Sequence, residues 1–356
     1  MGNLFAFYAF LSIKFTKIKF YPQFCVMAEI TLFGGGSWAT ALVKILSEGD
    51  NKINWVVRSA EVADYINQNG SNPKYLSDIE FHTSKVSAKT IESTEIFASP
   101  VVVFAMPAAF IQETLDWAVP RLRPGSVLIS AAKGMIPSVQ TGVSDYLERK
   151  HTIQASRLAF IGGPCHSEEV AMKKRSYLTI AHGHGSEGEA LAKLFCCEYV
   201  GCYALEDLKG VEFCAILKNI FALAAGMAHG LGYGDNFLSV LVSNAMHEVE
   251  IFLDDKFPSS RRQLTASAYL GDLLVTAYSQ HSRNRTFGAM IGRGYSVKAA
   301  QIEMNMVAEG YYASKSFVES NEEIVQHMPI VKMVYNILYK NIHAADAFKN
   351  LEKQMK

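Results

Sequence analysis

The stretch Ile30-Thr31-Leu32-Phe33-Gly34-Gly35-Gly36-Ser37-Trp38-Ala39 decides how the first half of the chain is read. A β-rich apolar run ends in three glycines, and residues 38–46 go on with helical spacing. A Gly-x-Gly-x-x-Gly/Ala pattern carries meaning in this strand–turn–helix setting, which a bare structural turn does not require. Gly34 permits the tight turn, Gly36 lets the backbone approach a pyrophosphate, and Ala39 is small enough for close helix–strand packing. The N-terminus of the following helix offers unpaired N–H groups and the positive end of its dipole to phosphate. Ser37 and Trp38 lie at that N-terminus.

Working outward, residues 53–57 form a second strand, and Arg58 follows it. An acid at a strand end of this kind binds the ribose 2′-hydroxyl of NAD, whereas an arginine accommodates the 2′-phosphate of NADP. Arg58 therefore leans towards NADP without excluding NAD. Further β-rich runs at 100–105, 126–131, 158–161 and 178–181 alternate with helical blocks. Continuous apolar strands with helical crossovers indicate a parallel sheet covered on both faces. After Leu205 the texture changes to helix-period blocks at 211–229, 237–253, 264–278, 297–306, 314–318 and 330–339. The expected fold is an α/β Rossmann-type N-terminal domain over residues 28–206 and an all-α C-terminal domain over 207–356.

Composition narrows the function. With 356 residues the chain is long enough for two domains, each with its own core. It is 49% hydrophobic and 19% charged, with zero formal net charge. This excludes disorder over most of the chain and argues against nucleic acid as the main partner. The six cysteines fit no zinc spacing, and His182 and His184 flanking one glycine make no metal site, so no metal is expected. Residues 1–27 read as an extension outside the fold. Their apolar run at 2–13 is too short to span a bilayer, and Lys14, Lys17 and Lys19 follow it, where a signal peptide carries charge ahead of the apolar block. A peripheral membrane anchor is the competing reading, while stable membrane insertion is not expected. Residues 213–228 are apolar, but the segment is short and carries Lys218.

Lys218 is the most informative residue, being the only ionisable group in that apolar stretch. Desolvation disfavours an ammonium and lowers its pKa, which suits proton exchange near neutral pH. The bland alternative is a lysine that snorkels to the surface. Asn219 beside it makes a polar pair. Lys133-Gly134 follows a strand, and ligands of open parallel sheets sit beyond the strands' carboxyl ends; otherwise Lys133 is a solvated loop lysine. Ser282-Arg283-Asn284-Arg285 combines hydroxyl, guanidinium and amide donors suited to phosphate, or is a surface loop. Asp272 orients a lysine ammonium or caps a helix. In Gly162-Gly163-Pro164-Cys165-His166-Ser167 the glycines and Ser167 allow close backbone approach to a ligand, and His166 alone is weak evidence for acid–base chemistry.

Taken together, these segments resemble NAD(P)-dependent glycerol-3-phosphate dehydrogenase over about residues 29–339. The family's Gly-x-Gly-Ser-Trp-Gly-Thr-Ala-Leu turn corresponds to residues 34–42, with Ala39 in place of a glycine. Asn72-Pro73-Lys74-Tyr75-Leu76, Ala105-Met106-Pro107 and Lys133-Gly134 follow in family order. So do Gly210-Val211-Glu212 through Leu217-Lys218-Asn219, Gly234-Asp235-Asn236, Gly271-Asp272-Leu273, Ser282-Arg283-Asn284 and Val307-Ala308-Glu309-Gly310. Where many members have Gly-Pro-Ser-Phe-Ala, this chain has Gly163-Pro164-Cys165-His166-Ser167. Gly163 carries over, while Cys165 and Ser167 are substitutions.

The resemblance implies interconversion of glycerol 3-phosphate and dihydroxyacetone phosphate with NAD or NADP, supplying glycerol 3-phosphate for phospholipid synthesis in the cytoplasm, by a homodimer. It implies Lys218 as general acid/base. Lys133, Gly163, Cys165, Lys218, Asp272, Ser282, Arg283 and Asn284 would surround the small phosphate substrate. Gly34, Gly36, Ser37, Trp38, Lys133, Ser167, Arg283, Val307 and Glu309 would line the cofactor, together with Arg58 by the strand-end argument. Two rivals remain at this level. Another two-domain β-hydroxyacid-type dehydrogenase would share the glycine turn, lysine and asparagine, but has no need of the Ser282-Arg283-Asn284 cluster. A non-catalytic dinucleotide sensor would have no use for Lys218.

Overall fold

The structure, a computed structural model, describes residues 28–92, 97–304 and 308–355. The expected extension at 1–27 and the cofactor candidate Val307 lie outside the described residues. The first half runs β1 (Glu29–Phe33), α1 (Ser37–Glu48), β2 (Lys52–Val56), α2 (Ala60–Asn69), β3 (Val86–Lys89), β4 (Val101–Phe104), α3 (Ile111–Ala118), β5 (Val127–Ser130), α4 (Val143–His151), β6 (Leu158–Gly162), α5 (Ser167–Ala171), β7 (Ser176–His182), α6 (Gly188–Leu194) and β8 (Val200–Leu205). The helical half runs α7 (Leu208–Gly230), α8 (Asp235–Lys256), α9 (Asp272–Tyr278), α10 (Arg283–Gly292), α11 (Val297–Glu303), α12 (Glu309–Ser320), α13 (Glu322–Val325), α14 (Pro329–Tyr339) and α15 (Ala344–Glu352).

Among the described residues the strands form one sheet in the order β3-β2-β1-β4-β5-β6-β7-β8. The central strands are apolar throughout because helices cover both faces; all four residues of β4 are buried. The reading of the whole sheet as parallel needs one correction: β7 runs antiparallel to β6. The link between them holds only the five-residue α5, which rises about 7.5 Å and cannot carry the chain back along a five-residue strand. β3 and β8 gave no apolar run to read. Both are edge strands: β3 alternates buried and exposed positions, and β8 is half-buried over most of its length.

One face of the sheet packs on α1 through Leu42, Ile45 and Leu46. On the other, Phe33, Phe104, Leu128 and Phe160 merge with Val211, Phe213, Leu217 and Ile220 of α7 into one continuous cluster. The helical half is thus built directly onto the sheet. α7 has 23 residues, longer than the short apolar segment read from the sequence. By length and composition it could cross a membrane, yet its apolar window is wholly buried inside the protein, and it is the core helix. The side chain of Asp207 starts it by accepting from the Gly210 N–H, and Arg262 Nε donates to the same carboxylate at 2.6 Å. The single helix expected over 264–278 is instead a π-helical turn, Ser267–Gly271, running into α9.

α7 and α10 cross with their backbones almost in contact. A Cβ on Gly226 would lie 2.1 Å from the Arg285 carbonyl oxygen, and one on Gly288 2.1 Å from that of Leu223. Gly230 and Gly292 are equally closed, at 2.3 Å from the Ala289 and Met227 oxygens. Gly226→Val should therefore destabilise the fold by about 1–3 kcal/mol, the usual cost of overpacking, because backbone cannot yield as a side chain can. Thermal unfolding would show a lowered midpoint; an unchanged midpoint would mean that the two helices are not held this close.

Candidate active site

The glycine turn is built as the sequence requires. Gly34 has φ +133°, and a Cβ there would sit 2.1 Å from the Ala105 carbonyl oxygen, so only glycine fits. The turn is tied from three sides. Gly34 N–H donates to the Val56 carbonyl at 3.0 Å, Trp55 Nε1 donates to the Gly34 carbonyl at 2.6 Å, and Asn72 Nδ2 reaches Gly35 O at 3.2 Å and Thr40 Oγ1 at 2.8 Å. Gly36 begins α1 without a side-chain cap, and the space where its Cβ would be is open. The first N–H groups of α1, at Ser37 and Trp38, are thus left to a ligand. Trp38 Nε1 is buried and has no hydrogen-bond partner among the described residues. An uncapped helix start behind an open glycine, with a buried unpaired donor beside it, fits a dinucleotide pyrophosphate. Arg58 is exposed just past the carboxyl end of β2, on the same edge of the sheet.

Three charged side chains meet beyond the end of β5. Lys218 on α7 is buried and donates from Nζ to Asp272 Oδ1. Lys133 Nζ stands 3.5 Å from Asp272 Oδ2. Asp272 is 1% exposed, and α9 has no side-chain cap bond, so its carboxylate orients lysines rather than capping a helix. Lys218 does not snorkel. Burial brings its pKa down to about 8; Asp272 opposes this shift and the neighbouring Lys133 charge adds to it. Burial works against the Lys133 ammonium too, but Asp272 facing it keeps that pKa above the usual value. Of the two amines, Lys218 is thus the one ready to release a proton. Lys133 Nζ also lies 5.7 Å from the centre of the Trp38 ring, within cation–π range, which joins this cluster to the glycine turn.

A chain of amides holds the lysines in register. Asn219 Nδ2 donates to the Lys133 carbonyl at 2.8 Å, Asn284 Nδ2 donates to Asn219 Oδ1 at 2.9 Å, and Gly310 N–H donates to Asn284 Oδ1 at 2.9 Å. Asn284, expected beside substrate, also connects α7, α10 and α12. Ser282 caps α10, its Oγ accepting from the Arg285 N–H at 3.2 Å. Arg283 is the exposed first residue of that helix. Burial pushes the Glu309 carboxyl up, while Arg283, Lys133 and Lys218 pull it down, so this acid faces the same basic group.

The loop after β6 closes the site from the other side. Gly163 has φ +104°, and a Cβ there would sit 2.8 Å from the Tyr177 carbonyl oxygen. Cys165 Sγ donates to that same oxygen at 3.1 Å, and burial pushes its thiol up to about 12, leaving it neutral. Ser167 begins α5, and its hydroxyl donates to Glu168 at 3.1 Å. The sequence reading missed the bracing of the turn by Trp55 and Asn72 and the place of Gly310. Asn72 is buried among mostly exposed neighbours in a polar loop, and nothing in the local sequence marked its bracing role or that of Gly310.

Comparison with known proteins places the chain in a family. The family model described as the NAD-dependent glycerol-3-phosphate dehydrogenase N-terminus matches residues 29–188, and that of the C-terminus matches residues 207–349. The glycerol-3-phosphate dehydrogenase [NAD(P)+] of Shouchella clausii is 31% identical over 93% of this chain and 97% of its own length. That of Staphylococcus saprophyticus is 33% identical over 91% and 98%. In fold, the chain is similar to the crystal structure of glycerol-3-phosphate dehydrogenase from Coxiella burnetii, with a TM-score of 0.83 and 24% identity over 91% of this chain and 98% of that one. With both halves matched in order and relatives aligned nearly end to end, the chain belongs to the NAD-dependent glycerol-3-phosphate dehydrogenase family.

Proposed function

We propose that the protein interconverts glycerol 3-phosphate and dihydroxyacetone phosphate with NAD(P)(H), using Lys218 as the proton donor and acceptor. The observation that carries this reading is the buried Lys218–Asp272 pair, with Lys133 beside it and the Trp38 ring linking it to the glycine turn. The nicotinamide supplies or takes the hydride. The protein's own part is to manage one proton and one developing charge. In the reducing direction negative charge builds on the C2 oxygen of the ketone. The Lys218 ammonium, held by Asp272, stabilises that charge and donates its proton to the oxygen. Lys133 adds positive potential. Arg283, with Ser282 at the start of α10, anchors the substrate phosphate, and this remote binding orients the carbonyl. Asn284 stands beside them on the substrate side, and its amide also positions α10. Gly163 and Cys165 line the substrate side; Gly34, Gly36, Ser37, Trp38, Ser167 and Glu309 line the cofactor side.

Arg58 favours NADPH over NADH in this reading. Residues 28–206 act as the cofactor half and 207–356 as the substrate half. We place the enzyme in the cytoplasm as a homodimer, providing glycerol 3-phosphate for phospholipid synthesis.

Oxidation of NAD(P)H by dihydroxyacetone phosphate, followed by the loss of reduced-nicotinamide absorbance, tests the assignment. Lys218→Ala should lower kcat about 10²–10⁴-fold, the usual contribution of a positioned acid, while cofactor binding persists. In wild type, ketone reduction needs the ammonium and should fall as pH rises through about 8, and alcohol oxidation needs the free amine and should rise over the same interval. Full turnover in Lys218→Ala would remove the residue from the chemistry. Arg283→Ala should raise KM for the phosphate substrate about tenfold or more, as loss of a charged hydrogen bond does; unchanged KM and kcat would place the anchor elsewhere.

A further inference from the structure

Asp272 is placed by the turn that leads into it. Its N–H donates to the carbonyls of Ser267 and Tyr269, the first and third residues of the π-helical turn. A π turn bonds five residues back, so Ser267 takes the place that Ala268 would hold in an α-helix. Both carbonyl donors of this support are themselves tied down by their hydroxyls. Tyr269 is 1% exposed, and its hydroxyl donates to Asp207 Oδ2 at 2.5 Å. The Ser267 hydroxyl is hydrogen-bonded to that of Tyr203 on β8. Asp207 is a firm anchor: it caps α7, and Arg262 grips it through Nε at 2.6 Å and Nη2 at 3.1 Å. The main chain of Asp272 therefore hangs from two residues, one fixed to the start of α7 and the other to the edge strand of the sheet. The two carboxylate oxygens face the same two halves. Oδ1 takes Lys218, about three turns and 16 Å along α7 from Asp207, and Oδ2 faces Lys133 beyond β5 at 3.5 Å. A carboxylate that serves one amine on each half has to be held against both.

We propose that Tyr269 and Tyr203 are positioning residues that set Asp272 between Lys218 and Lys133, the first from the α7 side and the second from the sheet side. The assignment rests on the Lys218–Asp272 cluster being the reaction site. Neither tyrosine exchanges a proton in the reaction; each acts through the main chain of Asp272. A hydroxyl that merely stiffened the junction would add stability and leave the acidity of Lys218 untouched, so a pH profile separates the two roles. Besides Asp272 and Lys133, the Lys218 charge is felt by Cys165 and His166 on the loop after β6, Cys214 on α7 and Glu309 on α12. Changing either tyrosine to phenylalanine leaves all of these in the chain, and a moved Lys218 midpoint then reports on Asp272.

The test follows NAD(P)H oxidation by dihydroxyacetone phosphate against pH in wild type, Tyr269→Phe and Tyr203→Phe. Tyr269→Phe keeps the buried ring, and Arg262 still neutralises Asp207, so the fold should survive. Asp272 holds the Lys218 proton on, and a carboxylate that has drifted from the ammonium holds it less well. The fall in ketone reduction, centred near about 8 in wild type, should therefore move to lower pH by about half a unit to one unit in each variant. On the acid side of that midpoint kcat should drop about ten- to a hundredfold, the cost of a small misplacement at the reacting groups, with KM for the cofactor unchanged. Tyr233→Phe is the control. It removes another tyrosine–carboxylate bond, to Glu352, at the far end of α7, and should keep the wild-type profile. A tyrosine whose variant keeps the wild-type midpoint and kcat, and changes only the thermal midpoint, is not a positioning residue. A change confined to KM for the cofactor, or the same pH shift in Tyr233→Phe, also overturns the proposal. Failure of the underlying site assignment reads differently: it is full turnover in Lys218→Ala, whatever the tyrosine variants do.

Discussion

An ammonium deprived of water has to find a counter-charge, and Lys218 finds it in Asp272. Removing one member of a buried pair of this kind leaves the other uncompensated, at a cost of about 3–5 kcal/mol. Much of the surrounding architecture follows from that requirement. α7 runs through the middle of the shared core, so its Lys218 is almost wholly buried. A π-helical turn precedes α9, and π turns of this sort recur where a side chain must be re-aimed. Lys133 faces the second carboxylate oxygen, and the balance among the three groups makes the Lys218 ammonium the easier of the two to deprotonate and holds Lys133 charged.

Besides the shared apolar core, two single polar contacts join the halves next to the buried lysines. Trp38 begins the helix behind the glycine turn, and its ring lies under the Lys133 ammonium. The Lys133 carbonyl takes the Asn219 amide from α7. The side chain and the main chain of Lys133 thus tie the glycine turn to α7 and its Lys218–Asp272 pair. Asn284 and Gly310 extend that fixation into α10 and α12.

Much of this was legible in the sequence because it was local. The glycine turn declared itself through the strand before it and the helix after it. Lys218 declared itself by interrupting an apolar stretch. What could not be read was whatever depended on distant chain. Asp272 lies 54 residues from Lys218, and the choice between lysine partner and helix cap needed three-dimensional contact. The direction of β7 depended on how little length α5 has. β3 and β8 lacked an apolar signature because edge strands bury one side or less. The part Asn284 plays in joining helices could not be read either, because its partners Asn219 and Gly310 lie far away in sequence.

The contact between α7 and α10 has a consequence for how this protein can change over evolutionary time. At Gly226 and Gly288 the opposing surface is peptide carbonyl, which no mutation elsewhere can trim. An ordinary core clash can be relieved by shrinking the facing residue; here there is no facing residue to shrink. The crossing therefore moves as one strut, carrying Lys218 and Arg283 together, and any adaptation of substrate range must be made in the loops around it.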